Sequence, residues 1–438
     1  MLGLALAARH TWALTPAQPQ KIVVIGAGIA GLAAARALHS AGHRVEILEA
    51  RERIGGRIHT SRVWKDAPMD LGASWINGFQ ASPLGKLARE LGVRTITTDD
   101  ENAIGYRAGR RFTVSEYERL AHWRERISEV LESAQQPESD RSLHAAVMEA
   151  LDWDSLSRDD RRLIELRMNG DFEHEYAGST QQLSAWWCND DSAFDGDDIV
   201  FPDGFGALPE HLAKGLSIRL GHIVERISWD EDGVRIDAAG HTLRADRVIV
   251  SVPLGVLKAG AIEFSPRLPA AKRRAIESLG VGLLNKCFLR FGHTFWPTDV
   301  DWIERLPERR GEWTQWLNLA RASGKSVLLG FNAAEFASQI EAWSDTKTVA
   351  EAMGALRGMF GEVPEPRDQQ ITRWASDPFA LGSYSFNAVG ADPSARQDLA
   401  APMGRLHFAG EATSRKYFGT THGAYLTGLR AAREILKG

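Results

Sequence analysis

The stretch KIVVIGAGIAGLAAARALHSAGHRVEILEA, residues 21–50, constrains the fold more than any other part of the chain. A short apolar strand runs into three glycines, a helical alanine-rich segment follows, and a second strand ends at Glu49. In such a βαβ unit Gly26 permits the tight turn, Gly28 lets the backbone approach a pyrophosphate, and Gly31 allows close helix packing. Glu49 stands where an acid binds a ribose hydroxyl. The stretch predicts a dinucleotide site in a doubly wound α/β domain; an ordinary turn into a helix is the alternative.

Length and composition limit the class of protein. The 438 residues exceed the usual length of one domain, so we expect two domains. With 44% hydrophobic and 25% charged residues, the chain has the composition of a soluble globular enzyme. A net charge of −5 argues against nucleic acid as a partner and suits a cationic small substrate. Two cysteines, Cys188 and Cys287, and the lack of a Cys/His cluster indicate neither a disulfide framework nor a metal site.

The first 20 residues allow two interpretations. A short apolar run is followed by small and polar residues and two prolines, which is similar to the back half of an export leader. The alternative is a disordered N-terminal extension. A leader would imply a periplasmic or secreted protein, and an extension a cytoplasmic one. No later segment is a transmembrane candidate, so we expect no stable membrane anchor.

The order of segments predicts two domains, each made of discontinuous pieces. Paired glycines beside arginines follow the first unit and suit a loop that lies against a pyrophosphate. Charged helices, a β-meander, strands rich in Trp and Phe, and a last helix from about Thr421 come next. We assign a nucleotide-binding domain to residues 21–105, 200–285 and 371–438. A mixed α+β substrate-binding domain is assigned to residues 106–199 and 286–370.

Taken in order, these segments resemble the flavin-dependent amine oxidases, the family of polyamine oxidases, monoamine oxidases and lysine-specific histone demethylases. The resemblance rests on the glycine fingerprint and on RIGGRIHT, DLGASWING, FPDGFGALPEHLA, VIVSVPLGVLK, LLNKCFLRF, TRWASDPFALGSYSF and LHFAGEATSRKYFGTTHGAYLTGLRAA. It covers nearly the whole chain after residue 20 and is greatest to the polyamine oxidases. It implies that the dinucleotide is FAD, held in a Rossmann-type domain with a β-meander.

The resemblance implies a role for individual residues around FAD. Glu49 would bind the adenosine ribose, Arg57 would flank the pyrophosphate, and Val224 would meet the adenine through its backbone. Glu411 would contact the ribityl and pyrophosphate region. The amide of Thr421 would face the flavin pyrimidine ring, where a helix N-terminus stabilises the negative charge of reduced flavin. The complete predicted set of FAD-binding residues is Gly26, Gly28, Gly31, Glu49, Arg51, Gly55, Gly56, Arg57, Gly72, Ala73, Ser74, Trp75, Val224, Trp374, Gly410, Glu411, Thr420 and Thr421.

Lys286 is the one predicted catalytic side chain. A lysine is rarely buried in an apolar strand without a partner. In the family this lysine holds a water beside flavin N5, where it assists reoxidation or imine hydrolysis; a lysine snorkelling from an edge strand would be inert. Trp374 would pack beside the isoalloxazine, or be an ordinary core aromatic. Ser383 stands near the place of the cysteine that attaches flavin in monoamine oxidases, so we expect non-covalent FAD and two cysteines in the core.

Four residues are predicted to bind the substrate. Tyr384 and Tyr417 match positions that line the channel in polyamine oxidases, although each could be a core tyrosine. Glu175 matches a carboxylate that could pair with a distal ammonium, with Glu173 as its rival, unless both are solvated on an exposed strand. Asn77 departs from the His or Glu of polyamine oxidases, and an amide carries no charge. Polyamine specificity is therefore not supported at that position.

An aspartate-rich loop follows, with six aspartates between Asp190 and Asp203. They could attract cations towards an entrance, or form an ordinary solvated loop.

The function implied by the resemblance is oxidation of a C–N bond of a small amine. Hydride passes to flavin N5, the imine hydrolyses, and O2 is reduced to H2O2. A monoamine or L-amino-acid oxidase is an alternative, and the latter needs a pocket arginine such as Arg107, Arg167 or Arg290. A binding scaffold with structural FAD is an alternative of another class. We find no helical tower insertion that would suggest a chromatin demethylase, and the oligomeric state is left open.

Overall fold

The computed structural model describes residues 18–134 and 140–437. The question of an export leader falls mostly on residues 1–17, which lie outside the described residues, so it stays a prediction. Within the described ranges, no helix combines the length and the apolar character needed to cross a membrane.

The strands of the described chain are β1 (Lys21–Ile25), β2 (Arg44–Leu48), β3 (Thr60–Ser61), β4 (Met69–Asp70), β5 (Trp75–Ile76), β6 (Ile96–Thr98), β7 (Ala103–Arg107), β8 (Arg110–Arg111), β9 (Asp198–Val200), β10 (Ser217–Arg219), β11 (Val224–Trp229), β12 (Val234–Ala238), β13 (His241–Ala245), β14 (Arg247–Val250), β15 (Glu263–Ser265), β16 (Gly280–Val281), β17 (Leu284–Arg290), β18 (Trp302–Arg305), β19 (Gln315–Asn318), β20 (Val327–Ala333), β21 (Asp368–Ile371), β22 (Ser385–Phe386) and β23 (Leu406–Phe408).

The α-helices are α1 (Ile29–Ser40), α2 (Pro83–Leu91), α3 (Val114–Ser133), α4 (Leu143–Ala150), α5 (Arg158–Met168), α6 (His174–Tyr176), α7 (Ala207–Ala213), α8 (Leu254–Lys258), α9 (Ala270–Ser278), α10 (Leu319–Ser323), α11 (Ala334–Glu341), α12 (Asp345–Phe360), α13 (Ala395–Ala400) and α14 (Thr421–Lys437). Single turns of other helix types cover Trp153–Ser155, Asn169–Glu173 and Glu411–Thr413.

A five-stranded parallel sheet, in the order β10-β2-β1-β14-β23, carries the glycine turn at the end of β1. Side chains of a strand alternate between its two faces. Ile22 and Val24 accordingly pack against α1 and α14, while Val23 and Ile25 pack against the meander of β11, β12 and β13. Because both faces are covered, β1 is a continuous apolar run. The predicted α/β class is confirmed.

A second sheet of seven strands, in the order β21-β17-β20-β19-β18-β7-β8, positions Lys286. Lys286 in β17 lies opposite Phe331 in β20. Its neighbours Cys287 and Leu289 point to the other face and pack under α11 and α12. The side chain of Lys286 therefore lies on the opposite face of the sheet from α11 and α12.

Four predicted domain boundaries fall inside strands: those after residues 105, 199, 285 and 370 lie within β7, β9, β17 and β21. β7 crosses the boundary at residue 105 and pairs with β18 of the seven-stranded sheet. Ile104 and Tyr106 in β7 bury their side chains in the core of that sheet. β9 runs across the boundary at residue 199 and pairs with β5 and β6. The division into two domains stays a prediction, with these boundaries moved to the ends of the strands.

The helices from α3 to α6 form a separate apolar cluster that ends at the cavity described below. The π-helical turn Asn169–Glu173 leads directly into α6. Glu173 and Glu175 thus lie on helical backbone and not on a strand, with Glu173 buried and Glu175 exposed.

Candidate active site

One cavity of about 920 Å³ is lined by residues of both large sheets and of the π-helical turn. Its volume lies in the range of ligand and cofactor sites. Of the predicted site residues, those that line it are Gly26, Gly28, Glu49, Arg51, Gly55, Gly56, Arg57, Gly72, Ala73, Ser74, Trp75, Asn77, Glu175, Val224, Lys286, Trp374, Tyr384, Gly410, Glu411, Thr420 and Thr421.

At one end of the cavity the glycine turn meets Glu49. This carboxylate is 5% exposed and accepts hydrogen bonds from the backbone amides of Ala27 (2.7 Å) and Arg51 (2.9 Å). Gly31 does not line the cavity. A Cβ added there would lie 2.0 Å from the carbonyl oxygen of Gly26, which is the helix-packing restriction expected at that position.

The start of α1 fits a bound pyrophosphate. Gly28 is its N-cap and supplies no side-chain cap, so the first amides of the helix are left for another acceptor. Ile29 and Ala30 line the cavity at this turn, and a Cβ added to Gly28 would meet no atom within 4 Å. An open cradle of amides at a helix N-terminus is the environment that phosphate groups bind.

Two arginines flank this cradle and tie it to the last third of the chain. Arg51 forms a bidentate pair with Asp377 at 2.7 and 2.8 Å. Arg57 donates to the carboxylate of Glu411 at 2.9 Å and to the carbonyl of Ser383 at 2.8 Å. Such charged forks hold the loop against an anionic ligand.

Glu411 is 4% exposed and lies beneath the start of α14. Its second oxygen accepts from the Ser385 hydroxyl (2.6 Å) and the Gly419 amide (2.9 Å). Burial opposes the charged form, but Arg57, Ser385 and Arg396 outweigh it and hold the pKa of Glu411 below its ordinary value. An ionised carboxylate is thus fixed at the cavity wall.

Lys286 is 4% exposed and occupies the middle of the cavity wall. Its ammonium donates to the carbonyls of Asp70 (2.9 Å) and Gly72 (2.6 Å) and to the Ser74 hydroxyl (2.6 Å). Burial lowers the pKa of Lys286 below the usual lysine range. The snorkelling alternative is excluded, because these contacts hold the ammonium inside.

The neighbouring segment explains why Gly72 is glycine. A Cβ there would lie 1.7 Å from the carbonyl oxygen of Arg57. The indole of Trp374 donates to the Leu71 carbonyl at 3.2 Å and lines the cavity beside Lys286. Trp374 is therefore a wall residue as well as part of a small core cluster.

Aromatic rings enclose the middle of the cavity. Trp75 stacks on Trp302 with centroids 5.9 Å apart, and Phe331 contacts both rings. The Tyr384 hydroxyl donates to the carbonyl of His174 at 2.8 Å, which fixes its ring in the wall. These rings leave a largely apolar passage.

The prediction for Tyr417 is wrong. Its ring stacks on Phe194 at 4.7 Å and does not line the cavity. The next residue, Phe418, lines it instead. Neighbouring residues in this irregular loop point in opposite directions, and the stack with Phe194 draws the tyrosine away.

The far end of the cavity is acidic. Asp100, Glu175, Asp191 and Asp198 line it, and among the described residues none of them has an ion pair with Lys or Arg. Burial, and then the charges of Asp191, Asp100 and Asp198, raise the pKa of Glu175 to about 7. Glu175 is exposed and also lines the cavity. Asn77 holds this group through a 2.7 Å hydrogen bond to Asp198.

Glu173 is not a substrate candidate. It is 2% exposed and accepts from Asn169, from Thr180 and from Arg310. These contacts stabilise the π-helical turn, a local distortion that often occurs at functional sites. The choice between the two glutamates therefore falls on Glu175.

The aspartate-rich loop agrees in part with each of its two interpretations, a cation-attracting entrance and an ordinary solvated loop. Asp191 and Asp198 line the cavity. Asp190 pairs with Arg415, and Asp203 pairs with Arg94 at 2.9 Å. The loop is thus partly a set of surface ion pairs.

The three arginines considered for an amino-acid carboxylate lie elsewhere. Arg107 pairs with Asp159 and Glu116, Arg167 with Glu304, and Arg290 with Asp66; none of the three lines the cavity. Arg124 does line it, but its guanidinium is held by Asp171.

Several wall residues were not predicted from the sequence. The main ones are Asp100, Trp302, Phe331 and Phe418. Asp100 lies in a polar turn that is typical of a surface loop, and Trp302 and Phe331 lie in strands whose apolar pattern predicts only burial. No local signal distinguishes these residues from others of their kind.

Neither cysteine lines the cavity, and both thiols are buried and unpaired. Burial raises the pKa of each thiol to about 12. Since Cys188 and Cys287 are the chain's two cysteines, the cavity has no thiol to attach a flavin. The predicted core positions are confirmed.

Comparison with known proteins agrees with this geometry. The model of the family "Flavin containing amine oxidoreductase" matches residues 29–436. Polyamine oxidase 4 of Oryza sativa subsp. japonica is 35% identical, over 96% of this chain and 89% of that protein. Lysine-specific histone demethylase 1 homolog 3 of the same plant is also 35% identical, over 99% of this chain but 56% of that protein.

The fold has a solved counterpart. Putrescine oxidase, in its wild-type form bound to putrescine, superposes with a TM-score of 0.78 over 97% of this chain and 100% of that one, at 21% identity. The family match, the polyamine oxidase similarity and the amide cradle agree. The protein belongs to the flavin-containing amine oxidoreductases, and its cofactor is FAD.

Proposed function

We propose that this protein oxidises amines that carry at least two ammonium groups, as polyamines and diamines do, with O2 as the final electron acceptor. The observation that supports this most directly is the acidic end of the cavity, where Asp100, Glu175, Asp191 and Asp198 lack basic partners in the described part of the chain. Four carboxylates that line one end of a cavity repel each other. A ligand with several positive charges would relieve that repulsion.

Lys286 and the four acidic residues line the same cavity, which would accommodate an elongated substrate. A distal ammonium would lie among the carboxylates, and the reacting nitrogen would lie in the aromatic passage near Trp75 and Tyr384. Apolar walls exclude water there and orient the substrate. Similarity to polyamine oxidases supports the same substrate class.

FAD, when bound, supplies the electron acceptor for the hydride that leaves the carbon beside the nitrogen. The chain's own residues do the rest. Glu175, with its pKa near 7, can hold either a proton or a negative charge close to the incoming amine. Lys286 is proposed to keep a buried positive charge near the flavin, where it would favour negative charge on oxygen.

Three rival functions have less support. An L-amino-acid oxidase needs a free arginine for the substrate carboxylate, whereas Arg124 is the arginine at this end of the cavity and is already paired with Asp171. A monoamine oxidase has no use for four carboxylates around a distal position. A scaffold with structural FAD would have no reason to enclose Lys286 among hydrogen-bond acceptors.

The test is anaerobic bleaching of the flavin in the purified holoprotein by stopped-flow absorbance. The substrates are spermine, spermidine, N-acetylated polyamines, putrescine, a simple monoamine, several L-amino acids and a peptide with methylated lysine. Fast bleaching by a polyamine or diamine, and slow bleaching by the monoamine of matched length, is the expected result. Preferential bleaching by amino acids or the monoamine would overturn the substrate class, and no bleaching by any of them would favour the scaffold.

A further inference from the structure

Arg396 is a buried cation that the oxidase chemistry above does not use. It lies in α13 and its side chain is 0% exposed. Within the described ranges it has no carboxylate at ion-pair distance. A buried guanidinium without a direct counter-charge is unfavourable, and one terminal nitrogen of Arg396 also lacks a hydrogen-bond partner among the described residues. Its contacts therefore indicate what it does.

Those contacts run towards the cofactor end of the cavity. Nε donates to the Asn387 side chain at 2.8 Å, and one terminal nitrogen donates to the Ser385 hydroxyl at 2.8 Å and to the Ala412 carbonyl at 3.2 Å. The guanidinium carbon lies 4.1 Å from the ring centroid of Phe418. Stacking on that ring holds the cation in place without a carboxylate.

The direction of the hydrogen bonds follows from the chemistry of the groups. A guanidinium only donates, so the Ser385 oxygen must accept from Arg396. The single hydroxyl hydrogen of Ser385 is then directed to Glu411, 2.6 Å away. Arg396 itself does not line the cavity, whereas Ser385 and Glu411 both do.

We propose that Arg396 is a positioning residue for FAD, which acts through Ser385 to hold the Glu411 carboxylate in one orientation at the cavity wall. Two cations thus fix one carboxylate, Arg57 directly and Arg396 through a hydroxyl. The inference concerns the cofactor and does not depend on which amine is oxidised.

The first test measures the Kd of FAD on full-length holoprotein, by dilution and the fluorescence of released flavin. Arg396→Met and Ser385→Ala are each expected to weaken FAD binding about tenfold, as loss of a hydrogen bond in a charged chain does. The double variant is expected to be weaker by about tenfold as well, because both changes break the same chain. A weakening of about a hundredfold would mean independent effects and would overturn the proposal.

The control is Lys272→Met. Lys272 donates to the carbonyls of Asp398, Leu399 and Ala401 at the other end of α13. Its loss should loosen the same helix without touching the link from Arg396 to Glu411. The readout is the visible circular dichroism of bound flavin, which responds to charges around the ring.

Arg396→Met and Ser385→Ala are expected to change this spectrum in the same way, while Lys272→Met keeps the wild-type spectrum and FAD affinity. If Lys272→Met matched Arg396→Met in both readouts, Arg396 would be a helix support only and the proposal would fail. If Arg396→Met does not fold, Ser385→Ala decides alone. A wild-type Kd and spectrum in that variant would overturn the proposal, and a weaker Kd with an altered spectrum would support it.

Discussion

The side-chain amide of Asn77 donates a 2.7 Å hydrogen bond to the carboxylate of Asp198, which also accepts from the Gly78 amide at 3.0 Å. From the sequence, the neutral residue at position 77 counted against a polyamine substrate. In the folded protein Asn77 lies against a carboxylate from a distant part of the chain, since Asp198 is 121 positions later.

Asn77→Leu is therefore expected to raise the KM for a diamine about three- to tenfold with little change in kcat, because a ground-state contact to the distal ammonium is weakened. Steady-state kinetics with putrescine measures this. Gln80→Leu is the matched control, since Gln80 makes a similar contact to Asp197 outside the cavity wall. An equal effect of both variants, or a change in kcat alone, would contradict this role of Asn77.

Glu175→Gln tests whether a negative charge at the acidic end of the cavity binds the distal ammonium of a diamine. Burial and neighbouring aspartates raise the pKa of Glu175 to about 7, so the group is neutral below that pH and becomes an anion above it. In the wild type the KM for a diamine is expected to fall as pH rises from 6 to 8, relative to a monoamine of matched length. In Glu175→Gln this fall should disappear and the KM at pH 8 should be about tenfold higher. A pH profile unchanged by the substitution would remove Glu175 from the site.

Lys286→Met tests the buried ammonium. We expect reaction of the reduced holoprotein with O2 to slow by about tenfold or more, while anaerobic bleaching by the amine slows less, because a nearby cation stabilises negative charge forming on oxygen. Stopped-flow absorbance measures both half-reactions on one preparation, so each serves as the control for the other. Equal slowing of the two would point to a general disturbance of the Asp70, Gly72 and Ser74 contacts instead.

Substitution of glycine by alanine is expected to have opposite effects on stability at two helical positions. One is Gly428 in α14, which packs against α1, and the other is Gly354 in α12. A Cβ at Gly428 would lie 2.1 Å from the Ala30 carbonyl, so Gly428→Ala should cost about 1–3 kcal/mol and lower the Tm of the holoprotein. Gly354 in α12 has no atom within 4 Å of such a Cβ. Gly354→Ala should raise stability by about 0.5–1 kcal/mol through helix propensity. A lowered Tm in both variants would contradict the steric explanation.

The sequence alone predicted those elements whose structure depends on residues close together in the chain. The glycine turn with Glu49, the strand around Lys286 and a helix beginning at Thr421 all follow from residues close together in sequence. Each of these elements has its own periodicity or turn residues, so tertiary contacts only complete it.

The rest of the cavity depends on contacts between distant segments. Nothing near Phe418 indicates that it, rather than Tyr417, faces the cavity, because the decision lies with Phe194 more than 200 positions earlier. Asp100 likewise becomes part of the acidic end only when its loop meets Asp198 and Glu175. The meeting of these distant loops leaves no periodic pattern in the sequence of any of them.

The bidentate pair of Arg51 with Asp377 has a consequence for how the protein is made. Its partners are separated by 326 positions, and the parallel sheet is completed by β23, the last strand in the chain. A growing chain that has already displayed the glycine turn still lacks Asp377, Glu411 and the start of α14. The cofactor end of the cavity is therefore complete only when these distant segments have folded against each other. We expect a chain cut before residue 377 to bind FAD far more weakly than the sequence described, which the fluorescence of released flavin would measure.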